Sequence, residues 1–159
     1  MLRKEDAKFM SLAIREARKN LASLDGGPFG ACIVKKGKVI AVGRNTVLTE
    51  DATCHAEVNA IRNASKKLRT YDLSGCIIYS TTEPCPMCFS AIHWARIDAI
   101  VFGTGIPDAR KIGFHELCIS ARNMKKIGKS PIRITSGFML AECRRLFNDW
   151  ESLSDKQIY

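Results

Sequence analysis

The 159-residue sequence predicts an α/β fold, because short apolar segments typical of strands alternate with amphipathic segments typical of helices. Five strand candidates and four helix candidates follow one another with no internal repeat, low-complexity tract or linker between them. A chain of this length corresponds to about one domain and is long enough to bury a core. We therefore expect a single layered domain that spans residues 1–159.

The first half of the chain predicts a helix, a β-hairpin and a second helix. Segments 29–36 and 38–44 are rich in apolar residues and flank Gly37, which predicts two strands joined by a short turn. The second helix is predicted over 55–69, where apolar residues share one helical face. The first helix is predicted from apolar residues at helical spacing that precede a glycine-rich turn: Met10, Ile14, Ala17 and Leu21.

The second half continues the alternation. Segment 76–79 predicts a buried strand, and two prolines that follow it are typical of a loop and a helix start. This third helix is expected to continue to residue 96. Strands are predicted at 99–102 and 132–135, with a polar, glycine-containing region around Asp108 between them. The last helix is predicted from a final set of apolar residues: Met139, Cys143, Leu146 and Trp150.

Composition indicates a globular protein in a reducing compartment. The chain is 46% hydrophobic, 26% charged and 8% aromatic, which is ordinary for a folded protein. No apolar run approaches the roughly 18 residues that span a bilayer, and the first six residues are not typical of a secretory signal. The seven cysteines are an odd number, so we expect reduced thiols, a cytoplasmic location and no membrane partner. Three of them lie in apolar segments, as buried hydrophobes do: Cys32, Cys76 and Cys143.

The net charge of +9 raises the question of a polyanionic partner. Basic residues are spread along the whole chain, and the clearest excess lies in segment 122–133, which contains no acidic residue. Scattered charge is usually a solvated surface, and basic charge alone gives only nonspecific attraction to nucleic acid. A tRNA partner is therefore the less favoured alternative.

Two segments supply three candidate zinc ligands and a carboxylate: His55 with Glu57, and Cys85 with Cys88. Both are predicted at helix starts, where unpaired N–H groups stabilise thiolates. Residues three apart share a helical face, so both sulfurs can reach one ion, and His55 can supply the third ligand if the two helix ends converge. Structural zinc sites are normally closed by four protein ligands, whereas catalytic sites keep one position open. Three ligands therefore indicate catalysis.

Glu57 need not be a ligand, because a spacing of two residues does not place it on the same helical face as His55. A carboxylate beside the open position can take a proton from zinc-bound water and return it to a leaving amine, which favours hydrolytic deamination. The alternative is a structural zinc site completed by Cys54, in a non-catalytic binding module. It is less favoured because adjacent residues rarely aim at one ion and Glu57 would then have no role.

Together, His55-Ala56-Glu57 and Pro84-Cys85-Pro86-Met87-Cys88 match the signature of zinc nucleobase deaminases. The chain resembles the cytidine and deoxycytidylate deaminase superfamily over most of its length. Within it, the chain is most similar to the small bacterial guanine deaminases, through residues 26–31, 91–96, Gly113-Phe114 and the final Tyr159. The resemblance implies a three-layer α/β/α sandwich around a five-stranded mixed sheet, with one Zn²⁺ per subunit.

The resemblance also implies roles for individual residues. Glu116 takes the place of an acidic residue that assists proton transfer, and residues 151–159 form a lid over the site. A homodimer is implied, with exchange of the carboxy-terminal segments as one arrangement. Substrate contacts are implied for five residues: Phe29, Asn45, Ala56, Trp94 and Tyr159.

Plainer interpretations of these residues stay open. Asn45 could cap a turn, since asparagine commonly does so. Phe29 and Trp94 could belong to the core, as aromatic residues usually do. Tyr159 could fray, since chain ends do so unless they are held.

The favoured activity is conversion of guanine to xanthine with release of ammonia. A tRNA wobble adenosine deaminase shares the zinc motif and would give the positive charge a purpose. A cytosine or nucleoside deaminase uses the same chemistry. A zinc-stabilised binding module is the non-enzyme alternative.

Overall fold

A five-stranded mixed sheet forms the centre of the structure, a computed structural model that describes residues 6–159. The strand order is β2-β1-β3-β4-β5. β1 pairs antiparallel with β2 and with β3, and the pairs β3–β4 and β4–β5 are parallel, which confirms the mixed sheet. The strands are β1 (Gly30–Lys35), β2 (Lys38–Arg44), β3 (Cys76–Thr82), β4 (Ala99–Thr104) and β5 (Arg133–Thr135).

Helices cover both faces of this sheet, which confirms the three-layer α/β/α arrangement. Apolar side chains of α2, α3 and α5 pack on one face, and those of α1 and α6 pack on the other. The helices of the described residues are α1 (Asp6–Ser23), α2 (Ala56–Leu68), α3 (Pro86–Trp94), α4 (Ile106–Lys111), α5 (Ala121–Ile127) and α6 (Leu140–Glu151).

Alternation along the central strands supplies both faces of the core. In β3, Ile78 faces the layer of α2 and α3, whereas Tyr79 faces the layer of α1 and α6. In β1, Ile33 faces the layer of α2 and α3, whereas Cys32 faces the layer of α1 and α6. Strands buried on both faces explain why their sequences read as continuous apolar runs.

The three cysteines predicted as buried hydrophobes are all buried, namely Cys32, Cys76 and Cys143. Burial, with a smaller contribution from a nearby acidic residue, raises the pKa of Cys32 and of Cys143 to about 12. These thiols are therefore neutral at physiological pH and belong to the packing of the core.

The structure adds two short helices that the sequence did not predict. α4 lies in the polar region around Asp108, and α5 contains the basic residues of segment 122–133. Helices of six and seven residues are too short to show an apolar repeat, so tertiary contacts select them. The third helix is also shorter than predicted, since it ends at Trp94 and Arg96 adopts a positive φ of 59°.

Gly43 sets the distance between α2 and the edge of the sheet. A Cβ atom at Gly43 would overlap backbone atoms of Ala56 and Ala60 in the first two turns of α2. Only glycine therefore allows the start of α2 to lie this close to β2, and the start of α2 carries the predicted metal and proton-transfer residues. Within residues 6–159, no helix combines the length and the apolar character that crossing a bilayer requires.

Candidate metal and catalytic site

The three predicted zinc ligands converge at the starts of two helices. His55 is the N-cap of α2, and Cys85 is the N-cap of α3. Pro86 occupies the first position of α3, where its missing N–H costs no helical hydrogen bond, and Cys88 follows within the first turn. The sequence therefore placed both ligand segments at the correct helix ends.

Distances between the ligand atoms fit a zinc ion. The Nδ1 atom of His55 lies 3.7 Å from the Sγ atom of Cys85 and 3.6 Å from that of Cys88. Tetrahedral zinc with bonds of about 2.3 Å to sulfur and about 2.0 Å to nitrogen places its ligand atoms about 3.6 Å apart. Among the described residues, these three side chains form the one group whose ligand atoms lie close enough to share an ion.

The acid–base properties of these side chains also suit a cation. A hydrogen bond from the Cys88 thiol, together with a hydrogen bond from His55, outweighs burial and lowers the pKa of Cys85 to about 4. Burial lowers the pKa of His55, but the hydrogen bond to Cys85 and the charges of Cys85 and Glu57 outweigh it, so the net shift is upward. The site thus concentrates negative charge around the point where the ligand atoms meet.

Cys54 does not supply a fourth ligand. Its Sγ atom lies 3.4 Å from the Glu50 carboxylate and 3.1 Å from the Arg62 guanidinium, away from the three ligand atoms. Across residues 6–159 the protein supplies three ligands at this point, which leaves one position of a tetrahedral ion open.

Glu57 lies beside the ligands, and Ser80 holds its carboxylate. The Ser80 hydroxyl donates to Oε1 at 2.8 Å, and Oε2 lies 3.4 Å from the Sγ atom of Cys88. The residue is only 6% exposed. Burial, followed by the charge of Cys85, raises the pKa of the Glu57 carboxyl above its usual range.

A cavity of about 220 Å³ opens onto His55, Cys85 and Glu57. Ligand pockets for drug-sized molecules are about 300–1,000 Å³, so this cavity suits a smaller ring. Further lining residues include five from distant parts of the chain: Phe29, Asn45, Phe114, Glu116 and Tyr159.

Asn45 is buried in the wall of this cavity, and its side-chain oxygen already accepts two hydrogen bonds. Oδ1 accepts from the Val47 N–H at 3.1 Å and from the Tyr159 hydroxyl at 2.7 Å. The contact with Val47 is the turn-capping bond that asparagine often makes. Within residues 6–159 its Nδ2 group has no partner, so it remains able to donate to a molecule in the cavity.

Tyr159 closes one side of the cavity. Its hydroxyl accepts from the Gly27 N–H at 3.0 Å, in addition to donating to Asn45. Its ring lies edge-on to Phe114, with centroids 5.4 Å apart. Burial raises the pKa of the Tyr159 phenol to about 12, so the hydroxyl keeps its proton.

Glu116 enters the cavity from the segment between α4 and α5. Burial, followed by the charge of Cys85, raises the pKa of its carboxyl to about 7. Phe114, two residues earlier, packs edge-on against Phe29 with ring centroids 4.9 Å apart. Phe29 is thus both part of the core and a wall of the cavity.

Two residues predicted to contact the substrate do not line the cavity, Trp94 and Ala56. Trp94 does not line the cavity, because it ends α3 at the opposite end of the helix from Cys85, where it is 78% exposed. Ala56 lies between His55 and Glu57, but its side chain is fully buried in the core. A contact from Ala56 to a bound molecule would therefore come from its backbone.

Sequence reasoning missed three residues that shape the site. Ser80 holds the Glu57 carboxylate, and its position at the polar end of an apolar strand was the available signal. Phe114 was noted only as part of the Gly113-Phe114 pair, without a role in the site, but it lines the cavity. Asn20 is fully buried in α1 and donates from Nδ2 to the carbonyl oxygens of Gly27 and Asn45, at 2.8 Å and 2.7 Å. Nothing in the helical pattern of α1 indicated that role.

Comparison with known proteins agrees with this geometry. The chain is 41% identical over 155 residues to the guanine deaminase of Bacillus subtilis (strain 168), covering 95% of this chain and 97% of the relative. It is 32% identical over 151 residues to a tRNA-specific adenosine deaminase of Buchnera aphidicola, covering 91% and 93%. A solved guanine deaminase structure from Nitrosomonas europaea superposes with a TM-score of 0.85 at 29% identity, over 96% of this chain and 87% of that one.

The zinc-binding region of the cytidine and deoxycytidylate deaminases matches residues 3–104, which include all three ligands and Glu57. Such enzymes are zinc-dependent hydrolases that remove an amino group from a nucleobase. With three ligands at two helix starts and a buried carboxylate beside them, the chain belongs to the cytidine and deoxycytidylate deaminase family.

Proposed function

We propose that this protein converts guanine to xanthine with release of ammonia. The observation that carries the proposal is the small cavity over the metal ligands, which Tyr159 closes. A free base fits such a cavity more readily than a nucleoside or a tRNA loop. Similarity to a guanine deaminase along nearly the whole of both chains supports the same substrate.

The ligand set fits Zn²⁺, and His55, Cys85 and Cys88 would hold it. When bound, the ion lowers the pKa of a coordinated water to roughly 7 and so makes hydroxide available at neutral pH. Glu57 accepts a proton on its carboxylate and delivers it to the departing amine. Ser80 holds that carboxylate in place by donating to Oε1.

The remaining residues orient the base. Asn45 donates from Nδ2 to an acceptor on the ring, because Oδ1 is already occupied by Tyr159 and Val47. Phe29 and Phe114 line the cavity and would pack against the ring. Glu116 also lines the cavity and assists proton transfer at the leaving amine.

Deamination of adenosine in tRNA is the second candidate. The similarity to a tRNA-specific adenosine deaminase and the net charge of +9 favour it. Against it, the tail that ends at Tyr159 covers the cavity that a flipped-out nucleotide would have to enter.

An ammonia-release screen of the purified protein tests the proposal. We expect rapid turnover of guanine and at least 100-fold slower turnover of guanosine, adenine, cytosine and an RNA anticodon stem, on the order of the discrimination that polar recognition provides. Heat-denatured protein and a sample stripped of metal by a chelator are the controls. Turnover of the RNA stem with none of guanine would overturn the proposal.

The Glu57→Gln variant tests the proton carrier. We expect it to bind zinc normally and to lose ammonia release by a factor of about 10²–10⁴, because the amide cannot accept the proton. Metal analysis and initial rates measure the two effects separately. Glu142→Gln, a substitution on α6 away from the cavity, is the matched control. Full activity of Glu57→Gln would contradict the mechanism, and an inactive protein without zinc would indicate a structural role.

We propose that residues 151–159 act as a lid, held by the Tyr159 hydroxyl. In Tyr159→Phe the ring stays but both hydroxyl contacts are lost. We expect KM for guanine to rise about 5-fold, corresponding to about 1 kcal/mol for a lost hydrogen bond. Steady-state kinetics measure it, with Tyr71→Phe, outside the cavity, as control. An unchanged KM would count against the lid.

We propose that the protein is a homodimer. Trp94 and Tyr71 are 78% and 67% exposed and lie in an open groove of about 1180 Å³ that Ile61, Ile97 and Ile132 also line. Apolar patches of this kind mark interaction sites, and a second copy would cover this one. The tail lies over the cavity of its own chain, and exchange between subunits would reproduce the same contacts in the dimer.

Sedimentation of Trp94→Glu tests this dimer. We expect the wild-type protein to sediment as a dimer and the variant as a monomer, because the glutamate places a charge in the apolar groove. Ile127→Glu is the matched control, since Ile127 is 80% exposed on α5 outside the groove. A monomeric wild-type protein, or a variant that remains dimeric, would contradict the proposed interface.

The cysteines and the substrate indicate where the protein works. None of the seven cysteines forms a disulfide within residues 6–159, as a reducing compartment favours. We infer a cytoplasmic role in the breakdown of purine bases.

A further inference from the structure

Glu83 lies between the end of β3 and the metal ligands, and the reaction as described above does not use it. It directly follows Thr82, the last residue of β3, and comes two residues before Cys85. Its own N–H donates to the carbonyl oxygen of Thr104, the last residue of β4, at 2.8 Å. Its backbone is therefore fixed by the sheet, and its side chain lines the cavity.

The carboxylate of Glu83 joins two other parts of the chain. Oε1 accepts from the N–H of Ala121 at 2.9 Å, and Oε2 accepts from the N–H of Ile106 at 3.2 Å. These are the first residues of α5 and α4, whose first N–H groups have no partner within their own helix. Both oxygens are thus used in charge-assisted hydrogen bonds to backbone.

The bond to Ala121 ties down the carboxy-terminal end of the segment that carries Glu116, and the bond to Ile106 ties down the start of α4, the helix that precedes this segment. Residues 112–120 connect α4 to α5 and contain no helix or strand. Within the described chain, the Glu116 carboxylate has no hydrogen-bond partner of its own, so the backbone sets its position. The Ala121 N–H is five residues further on and is bonded to the residue that also precedes the metal ligands.

We infer that Glu83 is a positioning residue that holds Glu116 at a set distance from the metal ligands. The inference rests on the proposed role of Glu116 in proton transfer. A group that transfers a proton must lie within hydrogen-bond reach of the reacting atom, and misplacement of about 1 Å can cost a factor of about 100 in rate. Glu83 meets that requirement by joining the metal loop and the Glu116 segment through one side chain whose two oxygens are both hydrogen-bonded.

A double-mutant cycle tests the inference on the zinc-loaded protein. In Glu83→Gln the side-chain oxygen can accept from one N–H, whereas its amide group faces the other and cannot accept. We expect kcat for guanine to fall by about 10- to 100-fold, with zinc content and KM changed less than 2-fold. In a Glu116→Gln background, Glu83→Gln should cause no further loss of kcat, because its effect passes through Glu116.

Asp108→Asn is the matched control. Asp108 also accepts from a backbone N–H at the start of α4, that of Gly105 at 2.9 Å, but it makes no bond to Ala121. We expect its kcat to stay within 2-fold of wild type. Amide hydrogen exchange over residues 112–121 should be faster in Glu83→Gln than in Asp108→Asn, which reports the loosened segment directly.

Losses of kcat that multiply in the double variant would overturn the inference, as would loss of zinc from Glu83→Gln. If Glu116→Gln alone keeps full kcat, the proposed role of Glu116 is wrong and the inference about Glu83 is wrong with it. The proposed deaminase activity is tested separately, by the activity of Glu57→Gln. If Glu83→Gln does not fold, Glu83→Asp replaces it. It keeps both oxygens but is one methylene shorter, and the same pattern of kcat loss is expected.

Discussion

The structure depends on the convergence of two helix starts at one point beside the sheet. α2 begins at His55 and α3 begins at Cys85, and each residue is the N-cap of its helix. Packing against the sheet fixes the positions of both helix starts. Gly43 lets α2 approach β2 closely, and the apolar faces of α2 and α3 share one core with the sheet. The Nδ1 atom of His55 consequently lies 3.6–3.7 Å from the sulfur atoms of Cys85 and Cys88.

This arrangement separates the reaction chemistry from the recognition of the ring. The ligands and Glu57 come from residues 55–88 and would act on any amino-substituted ring placed beside them. The walls of the cavity come from distant segments, which include Phe29, Asn45 and Tyr159. Loops and the tail therefore supply walls of the cavity, whereas the ligands lie at helix starts, as is typical of enzymes built on a stable scaffold.

Much of the fold followed from local sequence patterns. The five strands and the four longer helices were predicted because apolar periodicity persists over their length. The short helices α4 and α5 were not, since six or seven residues carry no repeat and long-range contacts such as that of Glu83 with Ala121 hold their starts. Trp94 was assigned to the cavity by resemblance, but α3 carries it to the opposite end from Cys85.

By itself, the sequence determined the alternation of elements, the three zinc ligands and the carboxylate beside them. These features are local, because the ligand spacing and the helix starts lie within short segments. Tertiary structure alone decided which aromatic residues face the cavity, what holds Glu57 and how the tail closes the site. The bond between Gly27 and Tyr159 joins residues 132 positions apart, and no local pattern encodes a contact that forms only after the sheet and both helical layers have assembled.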